Sequence, residues 1–132
     1  MYSMKETCQK TNMTYETLKF YCNQGLVPNV KRDTKNHRVF DDRDIAWINS
    51  LQCLKNCGMG IQEMKDYLDL CLQGAPSIPE RKAILAQKRS ELLRHMEEIQ
   101  ESIDYIDRKQ QLYDDMASGK VPYHSNLIRI DE

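Results

Sequence analysis

Between Pro79 and Gly119 the sequence contains neither proline nor glycine, and that absence constrains the fold more than any other feature. Proline lacks the backbone donor and clashes with the preceding turn, and glycine adds conformational entropy to the unfolded chain, so a run free of both has nothing to stop a helix. Ser77 followed by Glu80 has the pattern of a capping box at the start of the run. The spacing predicts one helix of about forty residues, several times the usual length in a globular domain. Along it Leu85, Arg89, Leu92, Met96, Ile99, Ile103, Ile106, Gln110, Tyr113 and Ala117 recur at intervals of three and four, with charged side chains filling the other positions. A mostly apolar seam of that period is buried against another helix. No second long helix is legible in the sequence, so the expected partner is a second copy of the chain. Leu92, Met96, Ile99, Ile103, Ile106 and Tyr113 then form the expected homodimer interface. The competing arrangement folds the helix back over the N-terminal part of the chain.

The first seventy-odd residues divide into short elements. Ser3 and Glu6 make a capping box for a helix over 4–11, Asn12 suits a left-handed turn, and Thr14 caps a second helix that ends at Gly25. Two short helices joined by so few residues form a helix-turn-helix, and Leu18, Tyr21 and Cys22 share one face of the second. Leu26-Val27-Pro28 and Arg38-Val39-Phe40 flank a polar turn, which reads as a small β-hairpin, or wing. Asp41 and Asp42 start a helix with Ile45, Ile48, Leu51 and Leu54 on one side, ending at Gly58. Another runs from Ile61 to Leu72, buried through Ile61, Met64, Leu68 and Leu72. Gly74, Pro76 and Pro79 mark a boundary, giving expected segments of 1–75, 76–118 and 119–132.

Charge and cysteine usage narrow the function. Residues 1–60 hold nine Lys/Arg against six Asp/Glu, a net of +3, whereas 61–132 hold ten against fourteen, a net of -4. The N-terminal half is therefore the expected face for an anionic partner. Thr14 and Thr17 place hydroxyls in the first turn of the second helix, where the helix dipole favours phosphate. Tyr15, Lys19 and Tyr21 lie on the same helix. The hairpin carries Lys31, Arg32, Lys35, His37 and Arg38 within eight residues. The competing reading makes Thr14 a simple cap and the hairpin charges a solvated loop. The five cysteines lack disulfide-framework or zinc-ribbon spacing, which fits a reducing, cytoplasmic compartment. No apolar stretch has the length of a signal peptide or membrane span, so no membrane partner is expected. His37, His95 and His124 are scattered, and no metal-ligand set, cofactor motif or nucleophile-base pairing is legible. Neither an enzyme nor a cofactor is expected.

The order of these elements, with "TLKFYCNQGLVP", then "NHRVF", then "CLKNCGM", then a long coiled-coil helix, resembles the MerR family of bacterial transcription regulators over residues 2 to about 118. The resemblance implies a mainly α fold, a winged helix-turn-helix DNA-binding domain followed by a long antiparallel coiled-coil dimerisation helix. It implies a dimer on double-stranded promoter DNA whose spacer is too long, distorting that DNA so that RNA polymerase engages both recognition elements. Lys19 stands where the family usually has Arg, Asn36 where it has a wing Gly, His37 where it has Tyr, and Cys22 where Glu is typical.

Metal-sensing members carry thiols at the end of the dimerisation helix and beyond, whereas here residues 72–132 contain no Cys. Cys53 and Cys57, at i and i+4, offer at most half of a soft-metal site. "LQCLKNCGM" is closer to the branch that answers aldehydes, electrophiles or nitrosative stress, whose members often have a Cys at the position of Cys53. The resemblance thus implies Cys53 as the sensor thiol, against its being a small buried hydrophobe. Other readings are a non-covalent ligand, a soft metal, or a coiled-coil adaptor that binds no DNA.

Overall fold

The structure is a computed structural model that describes residues 1–130. It is mainly helical and packs as two units, Met1–Arg89 and the chain from Ser90 onward. In the first unit, α1 (Met4–Thr11) begins as expected. The Ser3 hydroxyl accepts the Glu6 N–H, and the Glu6 carboxylate accepts the Ser3 N–H, both at 3.1 Å. Asn12 ends the helix in the left-handed region (φ 53°). Helix α2 (Tyr15–Asn23) follows after three residues, completing the helix-turn-helix, and Gly25 (φ 75°) turns the chain away from it.

A three-stranded antiparallel sheet completes the wing. Strands β1 (Tyr2–Ser3), β2 (Lys31–Arg32) and β3 (Arg38–Phe40) lie in the order β1-β3-β2, with Tyr2 opposite Phe40 and Lys31 opposite Val39. The first hairpin strand is thus not Leu26-Val27-Pro28. Leu26 and Val27 are buried in the core, and the chain must still turn through Pro28 and Asn29 before it can pair.

Helix α3 (Asp42–Asn56) starts on a full capping box between Asp41 and Asp44, and α4 (Ile61–Leu72) begins at Gly60. A 3-10 turn (Ala75–Ser77) leads into α5 (Ile78–Ala117), whose 40 residues match the length expected from the sequence. Two local expectations fail. Leu72 is exposed, because the end of α4 passes beyond the core that holds Met64 and Leu68. Ser77 does not form the expected capping box, because its hydroxyl is turned back to the carbonyls of Leu70 and Gly74 and accepts the Arg81 Nε–H at 2.9 Å.

The core of the first unit gathers Leu18, Leu26, Phe40, Ile48, Leu51 and Met64, all essentially without solvent contact. Two polar side chains at its margin find partners, Trp47 Nε1 donating to the Leu26 carbonyl and Gln52 Nε2 to the Thr11 carbonyl, both at 2.7 Å, whereas the Thr7 and Tyr21 hydroxyls are buried without one. The unit extends past residue 75, because the start of α5 packs with it. Ile84 lies against the core, and the Lys88 ammonium sits 2.6 Å from Glu63. In the second unit the expected seam is laid out along α5, with Leu92, Met96, Ile99, Ile103, Ile106 and Tyr113 all exposed in the single chain. Among the described residues no helix is long and apolar enough to cross a membrane.

Phe40 is fully buried where sheet and helices meet. Replacing it with Ala removes a large side chain from a close-packed site, and is expected to lower unfolding free energy by about 3–5 kcal/mol in urea titration.

Candidate nucleic-acid interface

Helix α2 carries two kinds of side chain. Leu18 and Tyr21, three apart, enter the core, and Thr14, Tyr15, Lys19 and Phe20 are exposed. Thr14 is the N-cap, its hydroxyl oxygen accepting the Thr17 N–H at 3.2 Å while the hydroxyl itself reaches Thr17 Oγ1 at 2.8 Å. The cap reading of Thr14 therefore holds, and it leaves the side chain at the surface beside Tyr15. Tyr21 is a correction. It is only 2% exposed, so its ring belongs to the core and does not face DNA. The i, i+3 relation to Leu18 already implied this. Phe20, which sequence reasoning passed over, is an exposed aromatic at the preceding position.

The wing's cations are mostly held by the protein itself. Lys31 donates to the Asp41 carboxylate and to the Asn29 carbonyl, both at 2.9 Å. That hydrogen bond, with the Asp44 N–H also bound to Asp41, holds the Asp41 carboxyl at about 2, below the usual range, and raises the Lys31 ammonium. Arg32 donates to the Asn36 carbonyl at 2.9 Å and Arg38 Nη2 to Asn23 Oδ1 at 2.7 Å, tying β3 to the end of α2. At the tip the Asp33 carboxylate accepts the backbone N–H groups of Lys35 and His37, and Asn36 adopts φ 63°. Asn thus fills a left-handed position that suits Gly best. Tyr15, Lys5, Arg32, His37 and Arg38 line one open groove of about 390 Å³ between the helix-turn-helix and the wing. Lys5, on α1, is a cation of this groove that no sequence pattern singled out, because a lone lysine on a short helix carries no periodic signal.

The thiols are spread over four helices. Cys8 and Cys22 lie against the core, where burial pushes both thiols up. Cys22 occupies its position as a small apolar filler, and the Asn23 beside it receives Arg38. Cys57 and Cys71 are half-buried, and Cys53 alone of the five is exposed.

The family model described as MerR HTH family regulatory protein matches residues 2–71, more than half of the chain, and a second, described as MerR, DNA binding, matches residues 45–109. The chain belongs to the MerR family. As a MerR-family regulator it is a DNA-binding transcriptional regulator with a helix-turn-helix, and the adaptor reading falls away. An uncharacterized HTH-type transcriptional regulator of Haemophilus influenzae is 31% identical over 112 residues, covering 85% of this chain and 83% of that protein. The HTH-type transcriptional regulator AdhR of Bacillus subtilis is 34% identical over 91 residues, covering 69% and 65%. Among solved structures, HiNmlR, a MerR family regulator lacking the sensor domain, bound to promoter DNA, aligns with TM-score 0.74 at 30% identity over 89% of this chain and 93% of that one. A MerR-family regulator of Listeria monocytogenes aligns with TM-score 0.76 at 29% identity, covering 86% of each chain.

Lys19→Ala removes an exposed cation from this MerR-type helix and is expected to weaken operator binding by about 1–3 kcal/mol in a mobility-shift titration, with an unchanged melting temperature. Asp41 gives a pH-dependent counterpart. Its lowered carboxyl contributes stability that is present above the ordinary aspartate range and is lost as pH falls through about 2. Lys31→Met is expected to move the Asp41 titration midpoint upward toward that of an unpaired aspartate, read by carboxyl-carbon NMR.

Proposed function

We infer that this chain works as a homodimeric promoter regulator whose signal is a thiol-reactive electrophile captured at Cys53. The observation that carries the reading is the exposure of Cys53 on α3. Nucleophilic attack needs a thiol that a reagent can reach, and burial disfavours the thiolate at Cys8 and Cys22. Cys53 also lies on α3, the helix that follows the wing and contacts β3, so an adduct there sits on an element joined to the wing. The resemblance of "LQCLKNCGM" to the aldehyde- and electrophile-responsive branch supports the same residue. Cytoplasmic placement fits five free thiols.

The dimer is supported by the α5 seam. Met96, Ile99, Ile103, Ile106 and Tyr113 present apolar surface that a single chain leaves in water, and pairing two copies buries it at roughly 25 cal/mol per Å². Two recognition helices held at a fixed distance then meet successive major grooves on one side of the duplex. By the family's logic the signal shifts the dimer between a relaxed form and one that distorts an over-long spacer for RNA polymerase. An adduct acts only through a difference in how the two forms accommodate it, and a few kcal/mol of difference is enough.

Two experiments test this. Ile99→Lys or Ile103→Lys is expected to give monomers in sedimentation that lose operator binding, and a monomeric parent chain at micromolar concentration would refute the dimer. Cys53→Ser is expected to retain operator affinity and lose aldehyde-dependent transcription from a reporter, while Cys57→Ser and Cys71→Ser keep both. Full induction in the Cys53 variant eliminates that thiol as the sensor.

A further inference from the structure

The last turn of α3 holds a second thiol that the single-cysteine reading does not use. Cys57 follows Cys53 by four residues, and among the five cysteines no other pair has that spacing. The turn joining them is regular: the Cys57 N–H donates to the Cys53 carbonyl at 3.0 Å, and Cys57 keeps helical dihedrals (φ -76°, ψ 0°) before Gly58 (φ 93°) breaks away. Cys53 is exposed and Cys57 half-exposed, so neither residue is closed off inside the core. Residues four apart on a helix stand one above the other and project in the same direction.

That geometry selects what the pair can bind. Cβ atoms at i and i+4 lie about 5–6 Å apart, whereas a disulfide needs about 3.5–4.5 Å, so direct oxidation to a disulfide would require the turn to unwind. A single atom inserted between the sulfurs spans the gap. Among the described residues no group of three His, Cys, Asp or Glu is placed to hold a metal ion, so an ion that takes four protein ligands, as zinc does, is not served. The fitting centre is thiophilic, takes two sulfurs, and brings its remaining substituent with it. Because the two side chains project in parallel, they approach such a centre from one side, which suits a bent S–X–S angle better than a linear one.

We propose that Cys53 and Cys57 form a dithiol clip for trivalent arsenic carrying one organic substituent. The reaction is a condensation: each thiol sulfur forms a bond to arsenic, two As–O bonds break, and the two thiol protons leave with the hydroxyl groups as two waters. No oxidation state changes. The product staples the last turn of α3 immediately before the turn that leads into α4. The clip goes beyond electrophile sensing, although it shares Cys53 with that reading.

The test uses the full reduced chain and phenylarsonous acid, PhAs(OH)2, the hydrated form of phenylarsine oxide. One equivalent should give, by intact mass spectrometry, a single adduct heavier by one molecule of that As(III) diol, PhAs(OH)2, less two waters. Maleimide labelling after unfolding should fall from five thiols to three. In competition with excess monothiol, Cys53→Ser, Cys57→Ser and Cys57→Ala should each weaken capture by roughly 100-fold or more, as loss of one arm of a bivalent contact does, and Cys71→Ser should leave it unchanged. Capture by either Cys57 variant within a few-fold of the parent chain, or mapping of the adduct to another thiol, overturns the proposal. An aldehyde arm separates the two readings. A Cys57→Ser chain that still takes aldehyde at Cys53 but loses the arsenical supports the clip. A parent chain that takes the arsenical on both thiols yet ignores aldehyde supports the clip and removes the electrophile reading.

Discussion

The N-terminus of α3 is the point on which the wing depends. All three strands are tied to it: β3 by direct continuation through Asp41, β2 by the 2.9 Å contact of Lys31 with the Asp41 carboxylate, and β1 by the Tyr2 hydroxyl donating to Asp42 at 2.7 Å. Strands of two or three residues have too few ladder hydrogen bonds to persist alone. Three carboxylates at a helix start are stabilised by the dipole and by the backbone donors they cap, and Asp44 is buried there while accepting the Asp41 N–H at 2.9 Å. The acidic cluster thus serves a basic wing by anchoring it, and the exposed Lys31 is held by the Asp41 and Asp44 carboxylates of its own chain.

The parts of the fold legible in the sequence are those with a local chemical signature. The bounds of α1 and α4 follow from Ser3, Glu6, Asn12, Gly60 and Gly74, and the span of α5 from the missing proline and glycine. The sheet was legible only in part. Tyr2–Ser3 is too short to show alternation, and Leu26-Val27 has the composition of a strand but is taken up by the core, which only the tertiary arrangement decides. Ser77 shows the same limit from the other side. Its capping-box spacing is correct, yet the carbonyls of Leu70 and Gly74, brought close by the turn between α4 and α5, hold its hydroxyl.

At the site, residue type was legible and orientation was not. Tyr21 and Phe20 are adjacent aromatics, and only the helical register relative to Leu18 separates the core residue from the exposed one. Arg32 and Arg38 read as two more wing cations, whereas their guanidinium groups brace the tip and the end of α2. The exposure of the five cysteines is not legible in the sequence, and the fold sets Cys8 and Cys22 against the core, leaves Cys57 and Cys71 half-buried and exposes Cys53.

The left-handed Asn36 at the wing tip has a consequence for the thermodynamics of association. Glycine at such a turn widens the set of conformations open to the free loop, and ordering it on a polymer surface costs correspondingly more entropy. Asn36 narrows that set before any partner arrives, and the Asp33 carboxylate, holding the Lys35 and His37 N–H groups, narrows it further. A preorganised tip surrenders less freedom on docking. Whatever charge it carries, a tip fixed in this way has little motion left to lose.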